Sequence, residues 1–254
     1  MLEQAPVLLV IPTYNEALNL KRLIEEICAE HLALNILVID DNSPDGTGRL
    51  ADSLGQTTPR MSVLHRKGKL GIGSAHKEGF QWAIQRGYER ILTMDADFSH
   101  SPRYLRSLLE GGSSEDVVIG SRYIQGGGLQ GWSMVRRFLT HTAHGLTRSF
   151  LGISYDCTGG LRLYPVPVLK QVEFQDIRSD GYAFLIEMLF RLTRNGVNIR
   201  EIPIVINSRH QGKSKISKRE ILKAVMTLLR LSGQQLLEPK KTARPIHARH
   251  AIPL

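Results

Sequence analysis

Residues Ile91 to Pro102 read ILTMDADFSHSP, and the fold is decided there. Ile91, Leu92, Thr93 and Met94 are a short apolar run of strand formers. The run stops at Asp95-Ala96-Asp97. Residues i and i+2 of a strand point to one side, so two carboxylates just past its end can converge on one cation. Hard oxygen ligands of that kind suit Mg²⁺ or Mn²⁺, which complete their shells with water and substrate phosphates. An Asp-x-Asp in isolation is equally a polar loop before a helix. Its place after a buried strand is what makes it informative.

Working outward, three more strands precede it. Val7 to Ile11 is a continuous apolar run of the kind buried on both faces of a parallel sheet, and Ile36 to Ile39 and Met61 to Leu64 read as the second and third strands. Helical periodicity follows each: Leu18, Leu20, Leu23, Ile24 and Ile27 after the first, with Asn15 as its expected cap, a second helix from near Asp45, and a third through Arg86. Val117 to Ile119 reads as a fifth strand. Strand alternating with helix is the pattern of an α/β, doubly wound, mostly parallel sheet with helices on both faces. Such sheets bind ligands at the carboxyl ends of their strands. The polar clusters PTYNE (residues 12–16), DDNSPDGT (40–47) and DADFSH (95–100) all fall at those ends, which argues for one composite site.

The second half is less regular. Gly126 to Gly128 reads as a flexible loop, Trp132 to Leu151 as an amphipathic helix, Cys157 to Tyr164 as a strand and Gly181 to Asn195 as a helix enclosing Glu187. Glu187 there is either a structural partner of a buried base or a site contact. Ile199 to Ile206 suggests a strand broken at Pro203, and Ile216 to Leu237 has helical apolar spacing carrying Lys218, Arg219, Lys223 and Arg230. Residues 238–254 are rich in Pro and basic residues with little to bury, and are expected to be disordered. The boundaries expected are one domain over residues 1–237 followed by that tail.

Charge is uneven. The chain carries +9 at pH 7, and residues 209–250 hold 11 Lys+Arg against 2 Asp+Glu, so the remainder is neutral. The asymmetry favours a local anionic contact over a general polycation. Cys28 and Cys157 have no metal or redox spacing and are expected to be reduced core residues, in a reducing compartment. The first residues, MLEQAPVLLVIP, hold too short an apolar run for a signal peptide. Nor is there a run of about 20 apolar residues to span a bilayer.

PTYNE, IDDNSPDGT, GIGSAHKEGF, MDADFSHSP, GSRY and RHQGKSK, in that order over about residues 5 to 235, resemble the dolichol-phosphate (polyprenol-phosphate) mannosyltransferases, an inverting glycosyltransferase family with the GT-A nucleotide-sugar-binding fold. The resemblance implies transfer of mannose from GDP-mannose to a polyprenyl phosphate, with Mg²⁺ or Mn²⁺. It also implies that Pro12, Tyr14 and Glu16 line the nucleotide pocket and that Ile39 and Asp41 meet base and ribose. Asp95, Ala96 and Asp97 would meet the metal and diphosphate, while Arg122, Arg136, Arg209 and Lys215 would hold phosphates. Asp97, Arg122 and Arg209 would be the catalytic residues. Ser99 stands where relatives often have Gln or Ser; its hydroxyl is a weaker metal ligand, so water can take its place beside Asp95 and Asp97. Asp41 retains a competing reading as a turn residue of DNSPDG.

A phosphate monoester has a second pKa near 6, so such an acceptor is already an oxyanion at neutral pH and needs no strong base. His100, His141 and His144 are therefore not assigned one. A polyprenyl acceptor also demands a membrane surface. The basic amphipathic segment 216–237 and the helix from Trp132 suit that role, or else pack on the domain and expose only their charges. The expected location is cytoplasmic, peripheral on the cytoplasmic face of a membrane, where a membrane-protein partner can join. Alternatives are the same chemistry with a donor such as UDP-glucose and, more remotely, a basic nucleic-acid binder.

Overall fold

The computed structural model describes residues 7–208 and 218–237. Strands β1 (Val7–Thr13), β2 (Asn35–Asp40), β3 (Met61–His65) and β4 (Arg90–Thr93) are parallel, with order β3-β2-β1-β4. Helices α1 (Ala17–Ala29), α2 (Thr47–Thr57) and α3 (Ile72–Gln85) connect them. The sheet continues through β7 (Arg162–Pro165), β5 (Val117–Ser121) and β8 (Ile199–Pro203). Between them come α4 (Leu105–Glu110), the three-residue β6 (Gly128–Gln130), α5 (Met134–Leu151), α6 (Val166–Gln171) and α7 (Ala183–Arg194). After β8, β9 (Val205–Asn207) pairs with β6, and α8 (Lys218–Leu237) ends the described chain.

Strand order reverses at β1. From there β2 and β3 lie to one side and β4 to the other, which opens a crevice between the carboxyl ends of β1 and β4. The continuous apolar runs are explained by cover on both faces. Leu8 and Val10 point to Phe80 of α3 and Phe184 of α7, while Val7, Leu9 and Ile11 point to Leu20, Leu23 and Ile27 of α1. Gly79 lets α3 press on the sheet, since a Cβ there would sit 2.7 Å from Val10 Cγ1.

Several sequence expectations are corrected. Asn15 does not cap α1: it takes φ +54° and spends its N–H on Ser43 Oγ at 3.0 Å, and Glu16 precedes the helix without a side-chain cap. The amides of Glu16 and Ala17 go instead to Thr47 Oγ1 and Asp45 Oδ2, so the loops after β1 and β2 are stapled to each other. The strand expected over Cys157 to Tyr164 shrinks to Arg162–Pro165 and runs antiparallel to β4 and β5. Residues 156–160 are used in a turn around Asp156, whose Oδ1 accepts the Thr158 and Gly159 amides. Pro203 does end a strand, with β8 in the main sheet and β9 in the small one. Gly128 is not loop but the start of β6, and of the two cysteines expected in the core only Cys157 is buried, Cys28 being exposed on α1.

His76 of α3 lies buried in this core, its ring stacked 5.6 Å from Phe184. Burial, and then the charge of Arg162, push its pKa from 6.5 down to about 3. Above pH 6.5 the ring is neutral in folded and unfolded chain alike. As pH falls from 6.5 toward 3 only the unfolded chain takes up the proton, and stability is lost. Chemical denaturation of His76→Leu between pH 8 and pH 4 is expected to show a shallower decline than the parent protein.

Candidate active site

One cavity of about 290 Å³ lies at the crevice. The end of β1 and the loop after it give it Pro12, Thr13, Tyr14 and Glu16, and the loop after β2 gives Asp41. The loop after β3 supplies Lys69 and Gly71, and the loop after β4 supplies Asp95, Ala96 and Asp97. Gly181, Tyr182 and Glu220 come from the second half of the chain.

Asp40 and Asp41 divide their work. Asp40 makes the turn, accepting Ser43 N–H at 2.9 Å and the Thr13 hydroxyl at 3.1 Å. Asp41 is therefore not the turn residue. Its carboxylate accepts Arg66 Nη1 at 2.5 Å and the amides of Leu70 and Gly71 at 3.1 and 2.9 Å. Arg66 also reaches Ser74 Oγ at 2.7 Å and lies 2.9 Å from Glu78. This nearly dry ion pair fixes the loop after β3, and the loop lays Lys69 over the Tyr14 ring at 4.3 Å.

Asp97 accepts the Ser99 N–H at 3.0 Å on one oxygen, a turn made possible by φ +60° at Phe98. The Ser99 side chain lies 3.4 Å from His100 Nδ1. Asp95 lies 3.8 Å from that His100 nitrogen. Burial lowers the His100 pKa to about 4, opposed in part by Asp97, so the ring is neutral at pH 7. Gly160 faces Asp95, and a Cβ there would fall 2.8 Å from Asp95 Oδ1. That bare backbone keeps room at the carboxylate. Two hard carboxylates two residues apart, with open space beside one, fit a divalent cation that finishes its shell with phosphate oxygens and water. Among the described residues no three Asp, Glu, His or Cys side chains form an all-protein cage.

Behind the aspartates, Arg122 donates to Asp156 from Nε at 2.8 Å and from Nη2 at 3.3 Å. Burial works to raise the Asp156 pKa, but the Arg122 charge and hydrogen bonds outweigh it and hold the group below the usual carboxylate range. Arg162 has no exposed surface and donates to the carbonyls of Gly159, Cys157 and Leu185 at 2.8, 2.8 and 3.0 Å.

Of the expected site residues, Pro12, Tyr14, Glu16, Asp41, Asp95, Ala96 and Asp97 share the cavity. Ile39 is fully buried in the core beneath it. Arg122 pairs with Asp156, and Arg136 stacks on Trp132 at 3.7 Å near the start of α5. Arg209 and Lys215 lie outside the described residues. Lys69, Tyr182 and Glu220 were not anticipated. HRKGKLGIG (residues 65–73) follows β3 just as the three nominated clusters follow their strands, so its position alone points to Lys69. Nothing local marks Tyr182 or Glu220.

The crevice at the carboxyl ends of a mostly parallel sheet, with a carboxylate pair past the end of β4, belongs to a GT-A-type glycosyltransferase fold. The Glycosyl transferase family 2 profile matches residues 8–173, and the chain belongs to that family. It is similar to the polyprenol monophosphomannose synthase of Mycolicibacterium smegmatis, 41% identical over 221 residues that cover 86% of this chain and 83% of that one. It is 39% identical over 225 residues to the undecaprenyl-phosphate mannosyltransferase of Micrococcus luteus, covering 88% and 93%. The fold matches a mannosyltransferase of Pyrobaculum calidifontis solved with GDP-Man and Mn²⁺, with a TM-score of 0.60, 16% identity and coverage of 96% of this chain and 67% of that one.

Asp41→Ala leaves Arg66 with Glu78 as its remaining carboxylate and frees the Leu70 and Gly71 amides. Removing one partner of a buried pair costs on the order of 3 kcal/mol, so a clear fall in melting temperature is expected in thermal unfolding.

Proposed function

We propose that this glycosyltransferase moves mannose from GDP-mannose to a polyprenyl phosphate with inversion. The observation that carries the reading is the pair Asp95 and Asp97 at the end of β4, in one cavity with Tyr14 and Asp41. The names of the two curated relatives supply the acceptor class and the sugar.

In this mechanism base and ribose occupy the wall made by Tyr14, Lys69 and Asp41, which the Asp41–Arg66 pair holds rigid. Asp95 and Asp97 would hold Mg²⁺ or Mn²⁺. Bound there, the ion offsets the charge growing on the departing diphosphate. An oxygen of the acceptor phosphate attacks the anomeric carbon from the face opposite the diphosphate. The carbon–oxygen bond to the diphosphate breaks, and GDP leaves with the electron pair. The new bond forms on the other face, hence inversion. The acceptor oxygen carries no proton that must first be removed, in keeping with a neutral, buried His100 beside Asp95. Arg122, held by Asp156, and Arg136, Arg209 and Lys215 are the proposed phosphate-binding cations.

The acceptor's lipid tail requires a docking face. No helix among the described residues is long and apolar enough to cross a membrane. However, α5 packs on α8, and together they expose Met134, Val135 and Phe138 on one helix and Leu222, Met226 and Leu229 on the other. Arg137, Arg148 and Lys223 accompany them. We assign this surface to the interface of an anionic membrane, on its cytoplasmic side.

Incubation with labelled donor, Mn²⁺ and a polyprenyl phosphate is expected to give lipid-extractable sugar from GDP-mannose in preference to UDP-glucose. Asp97→Ala should lower kcat/KM by about a hundredfold or more; full turnover by that variant sinks the mechanism. Separately, Phe138→Ser with Leu222→Ser is expected to weaken sedimentation with anionic vesicles while leaving affinity for GDP-mannose unchanged. Undiminished sedimentation rejects the docking face.

A further inference from the structure

Glu220 stands in the first turn of α8, yet its side chain lines the cavity that holds Asp95 and Asp97. The position is built. Glu220 Oε2 accepts the Tyr182 N–H at 3.3 Å, and Oε1 lies 3.6 Å from Lys223 Nζ. Gly181 takes φ +57°, and a Cβ on it would fall 1.9 Å from Glu220 Oε2. Only glycine lets that backbone come so close to the carboxylate. The loop is fixed from its other end as well. Glu187 of α7, buried, accepts the Arg178 and Ser179 amides at 3.3 and 3.0 Å and receives Arg230 of α8. Two carboxylates thus hold residues 178–182 against the cavity, and one of them, Glu220, itself lines it.

The chemistry of a carboxylate limits what it meets there. Among the described residues no group of three acidic, His or Cys side chains can enclose a metal, so Glu220 does not complete the set of Asp95 and Asp97. It repels a diphosphate. It accepts strongly from hydroxyl groups, which a hexose presents in number. Base and ribose already have the wall of Tyr14, Lys69 and Asp41 in the donor arrangement proposed above. We propose that Glu220 is a specificity-determining residue of the donor site, its carboxylate accepting hydroxyl hydrogens of the transferred hexose. The inference rests on the donor-site reading and adds to it the residue that senses the sugar. It also places a sugar contact and the exposed apolar residues Ile221 and Leu222 on consecutive positions of one helix.

Calorimetry on the full chain with Mn²⁺ tests this, using GDP, GDP-mannose, UDP and UDP-glucose as titrants. The comparison is between the parent protein, Glu220→Ala and Glu220→Gln. The Gln variant keeps an acceptor for the Tyr182 amide and carries the test should the Ala variant fail to fold. For the preferred pair, affinity for the bare nucleoside diphosphate is expected to hold within about twofold. Affinity for the nucleotide sugar is expected to fall about tenfold in the Ala variant and about threefold in the Gln variant, the scale of one charge-assisted hydrogen bond. Equal weakening of diphosphate and nucleotide sugar, or no change in either, overturns the assignment while leaving the donor site in place. Failure of the parent protein to take up any of the four ligands overturns the donor-site reading and this inference with it.

Discussion

A guanidinium sealed inside the protein, that of Arg162, is the constraint on which the rest of the site depends. Stripping a cation of water costs several kcal/mol unless its hydrogen bonds are replaced. Here three carbonyls replace them, two from the 156–160 turn and one from α7, and the buried charge of Asp156 lies close enough to be lowered in pKa by Arg162 as well as by Arg122. The same cation helps keep His76 and His100 neutral. Because β7 is paired to β4 in register, with Thr93 opposite Arg162, the turn ahead of it arrives beside Asp95. Gly160 and Arg122 take their places from that arrangement.

Acidic residues around the cavity sort by what already occupies them. Asp40 and Asp45 make turns, and Asp41 holds Arg66 and two amides. Glu187 holds a loop and a helix. In Glu187, burial acts to raise the pKa, yet Arg230 and Ser179 prevail and keep it charged. Asp95 and Asp97 line the crevice together with Asp41, and Asp95 has the bare backbone of Gly160 against it. Asp41 thus builds a wall of the cavity, and Asp95 and Asp97 follow the end of β4 as Asp41 follows the end of β2.

The parallel half of the fold was legible because buried strands of an α/β sheet are apolar without interruption and end in polar clusters. Three of four such clusters were enough to locate the crevice. What escaped is equally physical. The segment of β7 reads as a strand, but its start and direction do not: the 156–160 turn takes up the first residues, and a buried Arg opens a strand of four that runs antiparallel. Asn15 looked like a cap, but an Asn tolerates left-handed backbone, and the loop needed that conformation more than the helix needed a cap. Asp41 as a turn residue was a sound local reading that lost to a partner 25 positions away. Tyr182 and Glu220 reach the cavity through packing of α7 and α8, and contacts set by tertiary packing leave no periodic trace.

The geometry of α8 follows from one amphipathic repeat read on two faces. Thr227, Leu228 and Leu231 turn inward, and Arg230 spans from that face to Glu187. Leu222, Val225, Met226 and Leu229 remain outside, more apolar surface than a lone surface helix gains by leaving in water. A helix held from beneath by an ion pair and presenting Leu and Met above can press on a lipid surface without surrendering its seat on α7. Under the proposed reaction this matters, because the acceptor phosphate lies at the depth of the headgroups while the donor lies in the crevice. A rigid element that lines the crevice at one end and would meet the membrane along its outer face would, under that reading, bring the anchored phosphate to the donor, the proximity a bimolecular transfer requires.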